Sequence, residues 1–267
     1  MRVMVQTLLI SIRLFWVHPK ALVISFIVHP LILLLNILVF YSIFNHHGEL
    51  MIQGYTLTQM IWYFNVVHLI TILIWNNTDR RLSGQILSGD LGNALLRPLS
   101  LFRFEFYNAV TLRIGGLLFE VIPDFFIFML IYPPVFLELP SVIRFIPVVF
   151  LSFLIYFLIS YLIGLSAVII HSNSSVRRTV FTVASLLGGG MIPLDFFPAK
   201  LRSVCDALPF KYIFYVPIQF FLNRGGGAGT AFWLQTLGYQ LVWAGILFAL
   251  CMVSWRLLMK RIVVVGG

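Results

Sequence analysis

The sequence predicts an all-α, polytopic membrane protein with six transmembrane helices, and three observations predict it. Of its 267 residues, 60% are hydrophobic and 10% charged, whereas a soluble domain carries roughly a quarter charged residues. With 26 Phe, 10 Tyr and 6 Trp and a mean hydropathy of +0.99, the apolar material exceeds what one core of this length can hide from water. Second, six stretches meet the roughly 20 apolar residues that a helix rising about 1.5 Å per residue needs to cross about 30 Å of hydrocarbon: 21–44, 55–75, 107–132, 142–170, 179–197 and 230–255. Third, Lys and Arg gather on alternate connections, as the positive-inside rule requires. A β-barrel is excluded because no stretch alternates strictly, and backbone groups inside hydrocarbon then demand helices.

The elements follow in chain order as a single transmembrane domain over 1–267. Residues 1–19 place Arg2 and Arg13 among Val3, Leu8, Leu9, Phe15 and Trp16, which suits a helix lying in the interface. His18-Pro19-Lys20 then turns the chain into the membrane; an extension of the first span is the alternative. Arg2, Gln6 and Arg13 mixed into the apolar run and the lack of a small-residue cleavage site argue against a signal peptide. With both termini cytoplasmic, the inner segments hold Arg2, Arg13, Lys20, Arg80, Arg81, Arg97, Arg103, Arg177, Arg178, Arg256, Lys260 and Arg261, against Arg144, Lys200, Arg202, Lys211 and Arg224 outside. The four cations within 195–229 partly oppose that orientation.

Two connections are long. The inner one, 76–106, carries the helical pattern Leu82, Ile86, Leu91, Leu95 broken by Gly84, Gly89 and Gly92, and reads as short helices on the inner surface. The outer one, 195–229, is divided by Pro198, Pro209 and Pro217 into pieces too short to span, expected to dip into the outer leaflet and return. Gly225 to Gly229 reads as a hinge; without the lysine of a phosphate loop or a preceding strand, it is not a nucleotide site.

Catalytic chemistry finds no foothold. The histidines at 18, 29, 46, 47, 68 and 171 show no ligand spacing, and no nucleophile elbow occurs. Cys205 and Cys251 suggest neither a zinc site nor a disulfide framework. No metal site is expected. Charge within a span is informative, because it costs several kcal/mol, on the order of 2.5–3.5 on insertion scales. Arg113, Glu120 and Asp124 fall within about 40° on one face of a regular third span. They either lock helix packing or line a translocation pathway that favours a cation. Asn65 and His68, three residues apart on the second span, form a milder polar spot suited to hydrogen bonding between helices.

Between these spans the sequence resembles a known family, the type 2 ATP-binding-cassette (ABC) exporter permeases, in particular small six-span bacterial ones. The resemblance covers nearly the whole chain and rests on Gly84-Gln85-Ile86-Leu87-Ser88-Gly89-Asp90-Leu91 with Leu95-Leu96-Arg97-Pro98-Leu99-Ser100, on Gly190-Met191-Ile192-Pro193-Leu194-Asp195-Phe196-Phe197-Pro198, on Leu208-Pro209-Phe210 and Tyr215-Val216-Pro217, and on the Arg261 to Gly267 ending. It implies a multi-pass subunit of the bacterial plasma membrane that pairs with a second permease chain, like or related. Two separate cytoplasmic ATPase subunits would bind ATP and Mg, leaving no cofactor and no catalytic residue here.

The resemblance also implies roles. Residues 79–103 would form a coupling loop, with Leu87, Leu91 and Leu95 as apolar anchors, Arg97 as a polar one and Asp90 capping the following turn. Spans two and five would line the pathway, placing Asn65, His68, Ser185 and Met191 along it beside Glu120 and Asp124. Pro193, Phe196, Phe197 and Pro198 would belong to an outer gate. The implied activity is export of a hydrophobic, amphipathic or cationic compound along the dimer interface. The alternatives are an ion-coupled transporter using Glu120 and Asp124 as proton carriers, and a non-transport scaffold or intramembrane enzyme.

Overall fold

The computed structural model describes residues 19–48, 50–96, 99–170, 173–224 and 229–260. The expected interfacial helix, the Gly225-to-Ala228 part of the hinge, Arg97-Pro98 and the Arg261-to-Gly267 ending lie outside these residues.

Apolar runs become long helices. The first, α1 (Pro19–His47), is followed by a two-stranded hairpin, β1 (Met51–Ile52) and β2 (Tyr55–Thr56), pairing Met51 with Thr56 and Ile52 with Tyr55. Thr56 then opens α2 (Leu57–Ile74) with a capping box: its hydroxyl accepts from the Gln59 N–H while the Gln59 side chain accepts from the Thr56 N–H, satisfying two otherwise orphaned donors. The chain relaxes at Trp75 to Asn77 and resumes as α3 (Thr78–Leu87), then a short α4 (Leu91–Leu95). A third long helix comprises α5 (Leu101–Gly116), a wide π-type turn at Leu117–Val121 and α6 (Ile122–Ile131). The remaining helices are α7 (Leu139–Leu165), α8 (Asn173–Leu187), α9 (Ala199–Asp206), α10 (Tyr215–Phe221) and α11 (Thr230–Met259).

Five helical stretches among the described residues are long and apolar enough to cross a membrane: Ile24–His47, Leu57–Leu87, Leu101–Ile131, Leu139–Val168 and Thr230–Met259. The expected span at 179–197 takes a different form. Its helix begins earlier, at Asn173, and stops at Leu187, because Gly188 to Gly190 turns the backbone. The Gly190 and Met191 N–H groups donate to the Ser185 carbonyl at 2.7 and 3.2 Å, capping the helix through Gly189 at φ +81°. A Cβ at Gly189 would stand 2.9 Å from both the Tyr63 hydroxyl and Tyr215 Cβ. Glycine is thus required there by conformation and by space.

α8 nevertheless meets the second helical stretch at its first turns, at Phe181 against Trp75 with ring centroids 5.3 Å apart, and in the turn that follows it. Its first turns pair Arg177 with Asp79, and its end meets Tyr63, whose hydroxyl donates to the Gly189 carbonyl at 2.6 Å. Asp79 and Tyr63 stand 16 residues apart along the second helical stretch, about 24 Å of rise.

The core lies between α2, α7 and α10. Trp62, Tyr63, Phe157, Tyr161, Phe214 and Phe220 are fully enclosed there, and the Trp62 indole donates to the Tyr132 carbonyl at 2.9 Å. α3 seats against α7 where Gly164 leaves room for Leu82; a Cβ would lie 2.9 Å from that side chain. Phe102 meets Phe157, Tyr161 and Phe248 edge to face at ring separations of 5.1–5.6 Å, which joins α5, α7 and α11. A buried polar node adds direction: Ser152 donates to the Tyr212 carbonyl at 2.6 Å, and Gln240 donates to the Val148 carbonyl at 3.1 Å. α1 packs least. Only 6% of its most apolar window is buried, against 50% for the windows of the second and fourth long stretches.

Candidate functional site

Functional side chains fall into three levels along the helices. At the end where α2 passes into α3, Asn76 holds the break, donating to the Ile74 carbonyl at 3.3 Å and accepting from the Thr78 N–H at 3.2 Å. Two ion pairs fix α3 beyond the break. The Arg81 guanidinium grips one oxygen of the fully buried Glu105 at 2.6 and 3.1 Å, tying α3 to α5. Arg177 approaches Asp79 at 3.2 Å and lies 4.5 Å over the Trp75 ring, tying α8 to the same place by charge and by cation–π contact. Beside them a cleft of about 510 Å³ opens between α3 and α8, with Arg80, Arg177 and Arg178 in its lining against the single carboxylate of Asp79.

The tip beyond this anchored section is uncovered, and three leucines stand among its exposed residues beside Ser88, Asp90 and Asn93. Leu87, Leu95 and Leu96 are 49, 38 and 84% exposed, whereas Leu91 and Ala94 are buried. Leu91 therefore holds α4 onto its own chain, and the outward-facing apolar groups are Leu87 and Leu95, joined by Leu96. The Asp90 carboxylate caps no backbone N–H; it accepts the Ser88 hydroxyl at 2.7 Å. That replaces the expected cap, because the Ser88–Gly89–Asp90 turn draws the carboxylate back toward Ser88.

The middle level departs from the single polar stripe expected of α5 and α6. A π-type turn inserts in effect one extra residue, rotating the residues after it by about 100° relative to a regular helix. Arg113, before the turn, donates to the Ile72 carbonyl of α2. Asp124, after it, faces two histidines from other helices: His29 Nδ1 of α1 lies 2.5 Å from Asp124 Oδ2, and His68 Nε2 of α2 lies 4.0 Å from the same oxygen. The imidazoles meet with centroids 4.2 Å apart. Asp124 is wholly buried and Glu120 partly so. Asn65, also buried, donates back to the Ile61 carbonyl at 2.9 Å. Ser185 is buried at the end of α8, and Met191 beyond it is exposed.

At the far end a network closes on Asp195. The Tyr55 hydroxyl donates to Asp195 Oδ2 at 2.5 Å, the Tyr215 hydroxyl to Oδ1 at 2.9 Å, and Arg202 to Oδ1 at 3.0 Å. Gln219 donates to the Tyr55 oxygen at 2.8 Å, and the Arg224 guanidinium covers the Tyr55 ring at 3.3 Å while donating to the Gly54 carbonyl. Burial, reinforced by the Asp195 carboxylate, holds the Tyr55 and Tyr215 hydroxyls well above the usual phenol range, so both stay donors. The expected outer-gate residues sit here: Phe196 stacks on Tyr55 at 6.4 Å, Pro193 is buried, Phe197 ends the short turn Leu194–Phe196, and Pro198 precedes α9.

Sequence reading found Asp124 and His68 but not their meeting with His29, since the three lie on separate helices and share no spacing. It also missed the convergence of Tyr55, Tyr215 and Arg202 on Asp195, with Gln219 behind Tyr55. The usable signal for the first was a histidine or carboxylate within each of three spans.

A family model described as "ABC-2 family transporter protein" matches residues 31–265. Neither the search of curated proteins nor that of solved structures returned a match. The match takes in the five long helices from within α1 onward, the α3–α4 connection and the Asp195 network. The chain belongs to the ABC-2 transporter family, membrane transport subunits whose membership implies partnership with an ATP-binding-cassette ATPase.

Proposed function

We propose that this chain is the permease subunit of an ATP-driven exporter in a bacterial plasma membrane. It crosses six times with both termini cytoplasmic, and moves a hydrophobic, amphipathic or cationic compound outward along its interface with a second permease chain, like or related. The ATP and Mg belong to the separate ATPase pair. One observation carries the reading: the α3–α4 connection is anchored at its base by Arg81–Glu105 and Asp79–Arg177 and bare at its tip, where Leu87, Leu95 and Leu96 are uncovered. An apolar tip on a braced base can seat in a groove of a moving partner and pass a rigid-body displacement into α5, α7 and α8. Arg97 and Asp90 would flank that tip as its polar contacts.

The sixth crossing would be α8 with the turn that ends it, since it spans the distance from Asp79 to Tyr63. Arg177 and Arg178 then lie at the inner end, in keeping with the positive-inside rule. Met191 and Glu120, whose side chains reach the surface of the chain, would touch the pathway. Asn65, His68, Asp124 and Ser185 would shape it from behind by holding the helices in place. Pro193, Phe196, Phe197 and Pro198 would close the outer side through Tyr55.

The test is co-purification with the ATPase and measurement of its turnover for Leu95→Asp and Leu96→Asp. Each should leave the chain folded yet reduce ATPase stimulation on the order of tenfold or more, as truncated apolar anchors do. Unchanged binding and turnover in both variants would refute the coupling role. Transport by the lone chain in liposomes under a proton gradient, without ATP, would favour the ion-coupled alternative.

A further inference from the structure

His29, His68 and Asp124 form the one group of three or more His, Cys, Asp or Glu side chains, among the described residues, whose ligand atoms come within 4.8 Å of one another. They arrive from three helices, α1, α2 and α6. We propose that this group is a binding site for a divalent transition-metal ion, zinc first, which staples α1 to the rest of the bundle.

Three features carry the assignment. The donor set is two imidazole nitrogens and one carboxylate oxygen, which suits zinc and its first-row neighbours. It offers three protein ligands and leaves a fourth position for water. The spacings fit as well: a tetrahedral ion with bonds of about 2.0–2.1 Å holds its ligands about 3.3 Å apart, and the two carboxylate–imidazole separations, 2.5 and 4.0 Å, lie on either side of that value.

The third feature is unmet bonding capacity. His68 Nε2 and Asp124 Oδ1 make no hydrogen bond although both are buried. A His29–Asp124 pair alone leaves those two atoms stranded at a depth where an unpaired polar group is costly. A dication bound by the carboxylate and both rings gives the His68 nitrogen a partner and draws the carboxylate charge into coordination. The gain is mechanical too, because α1 buries little of itself, with Leu33 and Phe44 its enclosed apolar side chains among the described residues. A coordinate bond from His29 therefore adds a tether where packing is thin.

The proposal stands apart from the transport reading and is tested without it. The full chain, purified in detergent and stripped with chelator, is titrated with Co²⁺ as a spectroscopic probe and loaded with Zn²⁺ for metal analysis and thermal unfolding. The expected result is one ion per chain, visible Co²⁺ bands of low-symmetry coordination, and an unfolding midpoint raised by Zn²⁺. His68→Ala and Asp124→Asn should each lose all three responses while remaining monodisperse, and His29→Ala should release the tether. His46→Ala/His47→Ala removes the adjacent exposed pair at the end of α1 and should retain the ion. Should His68→Ala be poorly folded, His68→Cys, which keeps a ligand, should still take up Co²⁺ with an added sulfur charge-transfer band. Absence of bound metal in the parent chain overturns the proposal, as does binding that survives His68→Ala together with Asp124→Asn.

Discussion

The two ends of the bundle use their polar residues in opposite ways. Around Asp195, two tyrosines, an arginine and a glutamine acting through Tyr55 close on one carboxylate, with an aromatic ring stacked on top. Around α3, charges pair as strongly, but they brace only the base, and the leucines beyond it stay bare. The first end is complete within the chain. The second is complete only up to a surface, and an exposed apolar tip on an otherwise braced element is what a docking contact looks like. In the orientation proposed above, the outer closure would be the chain's own property and the inner end would be left for a partner to finish.

Breaking the Arg81–Glu105 brace gives the largest effect. Arg81→Ala leaves the fully buried Glu105 carboxylate without its guanidinium, and should lower stability by about 3 kcal/mol, measured by thermal or denaturant unfolding in detergent. Glu105→Gln, which keeps the shape without the charge, should cost less. Next comes Gly189→Ala at the Asp195 end. Its positive φ and its 2.9 Å approaches to Tyr63 and Tyr215 predict a loss of about 2 kcal/mol and, because the α8 cap is displaced, looser closure read by faster hydrogen exchange at Gly190 and Met191. Tyr215→Phe removes one donor from a carboxylate that keeps Tyr55 and Arg202, and should cost about 1 kcal/mol. A loss as large as that of Arg81→Ala would mean the outer network has less redundancy than its geometry shows.

The smallest effect is in pH. The Tyr55 and Tyr215 hydroxyls titrate higher in the folded chain than in the unfolded one. Their contribution is therefore intact below the unfolded phenol value of about 10 and declines as pH rises above it. The unfolding midpoint should fall over that alkaline range, and less steeply in Tyr215→Phe. A slope unchanged by that substitution would place the alkaline loss elsewhere.

Much of the helical scaffold was legible as hydrophobic length. The expected 21–44, 55–75 and 230–255 correspond to α1, α2 and α11 within a few residues, since a run of about 20 apolar residues sets a span whether its face meets lipid, as in most of α1, or neighbouring helices, as in α2. The third helix starts at Leu101 rather than 107 because Arg103 and Glu105 interrupt the apolar run without breaking the helix; Glu105 is buried by pairing with Arg81, a partner 24 residues away. Hydropathy gives no sign of the Gly188–Gly190 turn, where the decisive facts are the nearness of Tyr63 and Tyr215. Nor could a fixed 100° step foresee the π-type turn that separates Arg113 from Asp124. The site residues were legible as unusual charges within spans; their partners were set by how separate helices meet, which one chain's local pattern does not carry.

Membrane-impermeant thiol labelling of Leu96→Cys and Lys200→Cys reads out whether the α3–α4 tip is an inner surface open to a partner and the Asp195 end faces outward. Both native cysteines, Cys205 and Cys251, are buried, so background is low. In intact cells Lys200→Cys should label and Leu96→Cys should not; in inside-out vesicles Leu96→Cys should label, and the ATPase partner should protect it. Labelling of Leu96→Cys from outside intact cells would contradict the account.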